Sequence, residues 1–316
     1  MKETNPAVSV VMPVYNGMPY LPHAVNSILK QTFQNLELIV INDSSSDGSL
    51  DYLSSLTDDR LVLVNISKNV GVARALRAGV ARARGIYIAR LDQDDIARHD
   101  RLQKQYEYLE QKPAVGIVGS SYELLDESGN CLKKVSLGGN DLDIRWKMMF
   151  KNPFIHSSIM IRSSLLQQYQ LTYPDSIGED YLLWIQIMKY AEGYIFDLPL
   201  IQYRRHQGSD SSLKHSQYAR EAVKISTQLL TELYRKNNHI DWIEFNRWAR
   251  NPSGSKENKP LFVSVYLDIL AAFITKHKSK SGIKIFKKSK LRHLKRRVPA
   301  HLFYSLNTLK FLINTI

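Results

Sequence analysis

Asp92, Asp94 and Asp95 lie within four positions of one another in ARLDQDDIARHDRL, residues 89–102, where the apolar run GIYIA gives out. Like charges this close disfavour each other's ionisation, so something positive is expected beside them. In an extended chain, positions i and i+2 point to one side about 7 Å apart, which lets Asp92 and Asp94 face one point. Carboxylate oxygens suit a hard divalent cation such as Mg²⁺ or Mn²⁺, whose other ligands are waters and diphosphate oxygens. The competing reading is a solvated turn, with Asp95 as the polar start of the helix that ARHDRLQKQ suggests.

Other stretches carry side chains of the right type. Asp43 ends LELIVIND, just before Ser44, Ser45 and Ser46. As a turn or cap residue it would be ordinary. As a ligand, its carboxylate can accept the N3 hydrogen of uracil and reject cytosine, whose acceptor there would be left unpaired. KNVGVARALRAGVARARG, residues 68–85, sets Asn69 and Gly71 before a helical pattern carrying Arg74, a start that can help to hold phosphates. It lacks the glycine spacing of dinucleotide binders and of P-loops, and a solvent-facing helix is the alternative. Glu179 and Asp180 open another helical pattern. Acids suit that end of a helix, and a carboxylate there can also be a general base for an attacking hydroxyl. His206, in YRRHQGSDSS, is either a loop histidine or a metal ligand.

The elements that must position these residues alternate along the chain. Apolar runs at 8–13, 36–41, 61–66 and 85–91, and VGIVGSSYEL at 115–124, read as strands; helical spacing separates them at PYLPHAVNSILKQ, VGVARALRAGVARAR and DRLQKQYEYLEQ. Near-continuous apolar strands suit a sheet covered on both faces, and the alternation gives a layered α/β domain. In such sheets ligands sit beyond the carboxyl ends of the strands, where PVYN, NDSSSDG and DQDD fall. From about residue 125 the pattern changes. DESGNCLKKVS reads as a turn between polar strands, DLDIRWKMMF as a helix and SSIMIR as a strand. EDYLLWIQIMKYAE reads as a helix with Tyr181, Trp184, Ile185 and Met188 on one face, and GYIFDLPLIQYRRH as a closing strand.

Charge divides the chain. Of the net +13, residues 1–212 contribute −2 and residues 213–316 contribute +15. The second region is helical in pattern, interrupted by RNPSGSKENKP, and its stretch 276–297 holds eleven Lys or Arg among apolar residues. Such a segment fits an anionic membrane surface, with nucleic acid as the disfavoured rival. The single Cys131 excludes an internal disulfide and favours a reducing compartment. Neither a signal peptide nor a run of about 18 apolar residues is expected.

VSVVMPVYNGMPYLPHAVNSILKQTFQNLELIVINDSSSDGS, NVGVARALRAG, GIYIARLDQDD, HSSIMIR, GEDYLLW and YRRHQGSDS, in that order, resemble the motifs of the family 2 glycosyltransferases over about residues 6–212. The resemblance is to bacterial enzymes of cell-surface polysaccharide synthesis. It implies a GT-A fold, a mixed sheet with helices on both faces, with 1–212 as the catalytic domain and 213–316 as a basic helical region. The implied reaction moves a hexose or N-acetylhexosamine from a UDP-sugar to a hydroxyl of a glycan or lipid-linked glycan, with inversion and a divalent cation, Mn²⁺ or Mg²⁺. By position, Pro13, Val14 and Tyr15 line the nucleotide, Asp43 pairs with its base, and Asn69 and Arg74 lie near it. Asp92 and Asp94 match the metal-binding acid pair, with Asp92 also beside the donor and Asp94 as the direct ligand. Asp180 matches the catalytic base, and His206 completes the metal shell. Asn42 departs from the family, which often has an acid there. The implied setting is the cytoplasm, peripheral on the inner face of the membrane. The alternative is a nucleotide-binding or nucleotidyl-transferring protein without glycosyl transfer.

Overall fold

The computed structural model describes residues 5–234, 240–250, 259–277, 279, 282, 283 and 286–290. Within them nine strands form one sheet: β1 (Val8–Val14), β2 (Leu36–Asp43), β3 (Leu61–Ile66), β4 (Tyr87–Arg90), β5 (Ile96–Ala97), β6 (Val115–Leu125), β7 (Cys131–Val135), β8 (Met160–Arg162) and β9 (Glu192–Arg204). Their order is β3-β2-β1-β4-β8-β6-β9-β5, with β7 paired to β6. β3, β2, β1 and β4 are parallel; β8 runs antiparallel between β4 and β6; β9 lies parallel to β6; β5 and β7 are antiparallel additions. This is the mixed sheet expected.

Alternation explains why the central strands are apolar at nearly every position. Val8, Val10, Met12 and Val14 of β1 pack on one face with Leu21, Ala24, Val25 and Ile28 of the helix Leu21–Leu29. Ile39 and Ile41 of β2 point to the other face and meet Ala75 of the helix Val72–Arg82. A strand covered on both sides has no solvent face to carry polar residues. That second helix sits close to the sheet: a Cβ at Gly79 would lie 2.4 Å from Cγ1 of Val11. Because β1, β2 and β4 are parallel neighbours, their carboxyl ends open on one edge.

Two expectations change. The helix of DRLQKQYEYLEQ runs Arg101–Gln111, as read, but Ile96 and Ala97 lie between it and the acidic turn, paired with β9. Asp95 is therefore no helix start: its carboxylate is buried and accepts the amide of Arg204 at 2.8 Å. The helix Glu179–Ile187 buries Tyr181, Leu183, Trp184 and Ile187, so apolar contacts surround more of it than the single face expected.

The chain divides into two compact units, one of residues up to Asp141 with Pro153–Tyr218, and one of Leu142–Asn152 with the residues from Ala219 onward. The sheet belongs to the first. The second has its own core, in which Trp146, Phe150, Phe245, Tyr266, Phe273 and Phe286 pack together. Much of the basic stretch 276–297 lies outside the described residues. Within it, Lys287 is buried, and Lys290 pairs with Asp143 at 2.8 Å and lies over the Phe286 ring. No described helix is long and apolar enough to cross a membrane.

Candidate active site

The segments after β1 and β2 are stitched together by side chains. The amide of Asn16 donates to Ser45 Oγ at 3.0 Å, that of Gly17 to Ser49 Oγ at 2.9 Å, and that of Met18 to Asp47 Oδ2 at 2.8 Å; the amide of Ser46 donates back to Asn16 Oδ1 at 2.8 Å. Gln93, in the middle of DQDD, ties the third strand end to the first. Its Oε1 accepts the Tyr15 amide at 2.8 Å and its Nε2 donates to the Tyr15 carbonyl at 3.0 Å. The convergence expected from PVYN, NDSSSDG and DQDD is thus a hydrogen-bonded assembly.

The nucleotide candidates differ in what they present. Tyr15 is 49% exposed and Pro13 half-buried, whereas the Val14 side chain lies in the core, so only its backbone can meet a ligand. Asp43 is buried at the end of β2, with Oδ1 accepting the Val70 amide at 2.8 Å and Oδ2 the Gly71 amide at 2.9 Å. Each oxygen keeps one further lone pair. Gly71, at φ 84°, supplies the left-handed turn that aims those amides at the carboxylate and caps the helix Val72–Arg82. Asn69 is exposed nearby in sequence. Arg74 points to Asp175, with Nε at 2.8 Å from Oδ2, and this ion pair holds the Asp175 carboxyl below its usual range.

The positive partners of the acidic turn are arginines. Arg90, the last residue of β4, is 2% exposed and sets Nη2 at 2.5 Å from Asp92 Oδ1. Ser157 Oγ donates to Asp92 Oδ2 at 2.8 Å and accepts the Asp92 amide at 3.0 Å. Burial opposes ionisation of Asp92, but Arg90 and Ser157 outweigh it and hold the carboxyl below its usual range. Arg204, also buried, donates Nε to the Asp94 carbonyl at 3.1 Å and covers the Tyr20 ring. Arg101 is fully buried and donates Nη2 to the carbonyls of Arg90 and Ile159; burial lowers its pKa to about 9. Asp95 goes the other way: burial, then Asp94 and Asp92, push its carboxyl well up, and its Oδ2 has no hydrogen-bond partner.

Asp94 and His206 come together, with Nε2 at 2.9 Å from Oδ2, and the Tyr20 ring lies 4.8 Å from that of His206. Asp92 gives one oxygen to Arg90 and the other to Ser157, and each keeps one further lone pair. Among the described residues no three His, Cys, Asp or Glu side chains form a metal-holding group. A carboxylate oxygen and an imidazole nitrogen fit a cation that takes its remaining ligands from a diphosphate and water.

Glu179 and Asp180 form the first turn of the helix Glu179–Ile187, entered through Gly178 at φ 79°. Asp180 is half-buried, with Oδ1 accepting the Tyr181 amide at 2.6 Å. Glu179 is buried, and burial plus the Asp180 charge raise its pKa to about 7. Near this helix, His156 is half-buried, and desolvation first and Arg90 second lower its pKa to about 3, so the ring is neutral. Gln93, Arg90, Arg204, His156 and Ser157 are the residues that the sequence reading overlooked. The signal available was an arginine inside an apolar strand, GIYIARL, where a charge is rare unless paired.

Residues 9–170 match the family model described as Glycosyl transferase family 2. An uncharacterized glycosyltransferase of Haemophilus influenzae is 31% identical over 246 residues, 74% of this chain and 76% of the relative. S. aureus TarS 1–349, solved in complex with UDP-GlcNAc, has a similar fold at 16% identity, with a TM-score of 0.60 over 92% of this chain and 87% of that one. A mannosyltransferase from Pyrobaculum calidifontis, solved in complex with GDP-Man and Mn²⁺, has a TM-score of 0.53 at 16% identity, covering 98% of this chain and 86% of that one. A match across half of the chain, a relative alike over three-quarters of it and a shared sheet lead to one conclusion: the chain belongs to the family 2 glycosyltransferases and has the GT-A fold.

Proposed function

We propose that this glycosyltransferase moves a hexose or N-acetylhexosamine from a UDP-sugar to a hydroxyl of a glycan, with inversion and with a divalent cation at Asp94 and His206. The observation that carries this reading is the meeting of those two side chains, 112 residues apart, beside the joined ends of β1, β2 and β4. The neighbours in fold bind UDP-GlcNAc in one case and GDP-Man with Mn²⁺ in the other, so the fold supports a sugar nucleotide without selecting the base. Asp43 suits uracil and rejects cytosine, because its fixed carboxylate is acceptor-only and N3 is a donor in the first and an acceptor in the second.

As the anomeric carbon parts from the diphosphate, negative charge grows on the leaving oxygen. Mn²⁺ or Mg²⁺, when bound, supplies Lewis-acid stabilisation of that charge. Asp180 accepts the proton of the attacking hydroxyl, and a single displacement inverts the anomeric centre. Asp92, anchored on Arg90, orients the donor sugar. The acceptor suits a lipid-linked glycan of surface polysaccharide synthesis, reached at the inner membrane face by the basic stretch 276–297. Asp180→Asn tests the base: calorimetry should show UDP-sugar binding retained while transfer falls about 100-fold or more. Undiminished turnover would overturn the assignment.

A further inference from the structure

We propose that Arg90 is a positioning residue that ties the donor-side carboxylate Asp92 to the helix bearing Asp180, through His156 and Tyr173. The inference rests on the reading of Asp180 as the base.

Arg90 spends each edge of its guanidinium on a different partner. Nη2 holds Asp92 Oδ1 at 2.5 Å, Nη1 donates to the Leu91 carbonyl at 2.6 Å, and Nε faces His156 Nε2 at 3.3 Å. An arginine nitrogen can only donate, so His156 Nε2 is the acceptor and the ring proton sits on Nδ1. The Tyr173 hydroxyl, 3.2 Å from the same nitrogen, is therefore also a donor and shares its one lone pair with Arg90. Both rings pack edge-on against Trp184, at 5.8 Å for His156 and 6.1 Å for Tyr173. Trp184 is fully buried and follows Asp180 by four residues, so the two share a helix face. The chain Asp92, Arg90, His156, Tyr173, Trp184 thus runs from the donor side to the base-bearing helix through hydrogen bonds and ring contacts that pass from half-buried to fully buried residues. Only a planar fork reaches all three partners of Arg90; a lysine reaches one. Ser157, next to His156, holds the other oxygen of Asp92, so the HSS segment grips both ends of the first link.

The test compares Tyr173→Phe, His156→Gln and Arg90→Lys with Asp180→Asn, reading the UDP-sugar dissociation constant by calorimetry and kcat per folded molecule. Tyr173→Phe keeps the ring against Trp184 and removes only the hydroxyl. It and His156→Gln should leave donor binding within about twofold and lower kcat about fivefold, the scale of one buried hydrogen bond. Arg90→Lys should lower kcat by about tenfold or more and weaken donor binding too. A purely structural role would lower the melting temperature and leave kcat per folded molecule unchanged, which overturns the inference. So would parallel loss of donor binding in Tyr173→Phe. If Asp180→Asn is inactive while Tyr173→Phe and His156→Gln are normal, this inference alone fails; an active Asp180→Asn removes the base assignment beneath it.

Discussion

Asp43 is committed to two backbone amides before any ligand arrives, which fixes how its substitution should behave. Asp43→Asn turns an NH₂ toward one of those donors and leaves a largely enclosed amide unpaired, at about 1–3 kcal/mol. Its melting temperature, read by scanning calorimetry, should fall by about 2–4 °C per kcal/mol. Uridine binding should weaken with it. Glu179 gives a pH signature. Its folded pKa of about 7 exceeds the ordinary 4.5, so between those values the folded protein keeps a proton that the unfolded chain has released. Stability is therefore fullest below 4.5 and falls as pH rises toward 7, by on the order of 3 kcal/mol. Glu179→Gln should flatten the urea-midpoint profile across pH 4.5–7 and be the more stable protein at pH 8; an unchanged slope would assign the loss elsewhere. At this scale the acids were legible and their partners were not. Asp92, Asp94 and Asp180 announce themselves by clustering or by opening a helical pattern, whereas Arg204 and His156 reach the cluster from distant strands and loops.

Among elements, the helix Val72–Arg82 shows packing overriding propensity. Gly79→Ala would gain about 1 kcal/mol of helix preference. The new Cβ would stand 2.4 Å from Val11 and 3.2 Å from Ile41, both fully buried, and overpacking of this kind costs about 1–3 kcal/mol. Urea denaturation should show a net loss of roughly 1 kcal/mol; a raised midpoint would mean that the helix lifts off the sheet without cost. β1 to β4 and the helices between them were readable because a parallel strand covered on both faces writes itself as a continuous apolar run. The order of the remaining strands was not. β8, three residues long, slips between β4 and β6 from far along the chain, and β5 is two residues long. β8 is legible as a strand in SSIMIR but its neighbours are not, and an element as short as β5 carries no period, so only its partner strand defines it.

For the whole molecule, charge is the property that reads directly from residue types. The +15 of residues 213–316 predicts co-sedimentation of the full chain with anionic liposomes that weakens between about 50 and 500 mM salt, as screening shortens the reach of each cation. Neutral liposomes should not pellet it. Retention that ignores salt and lipid charge would leave the basic stretch without this role. Lys287 and Lys290 reduce the free charge, being turned into the second unit. The α/β alternation, the polar strand ends and the identity of the acids that gather there are legible in the residue types alone, because periodicity and composition are local properties. The group that meets each acid is set by the folded arrangement. Asp92 is neutralised by Arg90 from its own strand end, Asp94 meets His206 at the end of β9, and Asp95 is buried against the Arg204 amide. The last two depend on strand order, which brings together residues over a hundred positions apart, and even the local Arg90–Asp92 pair is held in place by Ser157 from far along the chain.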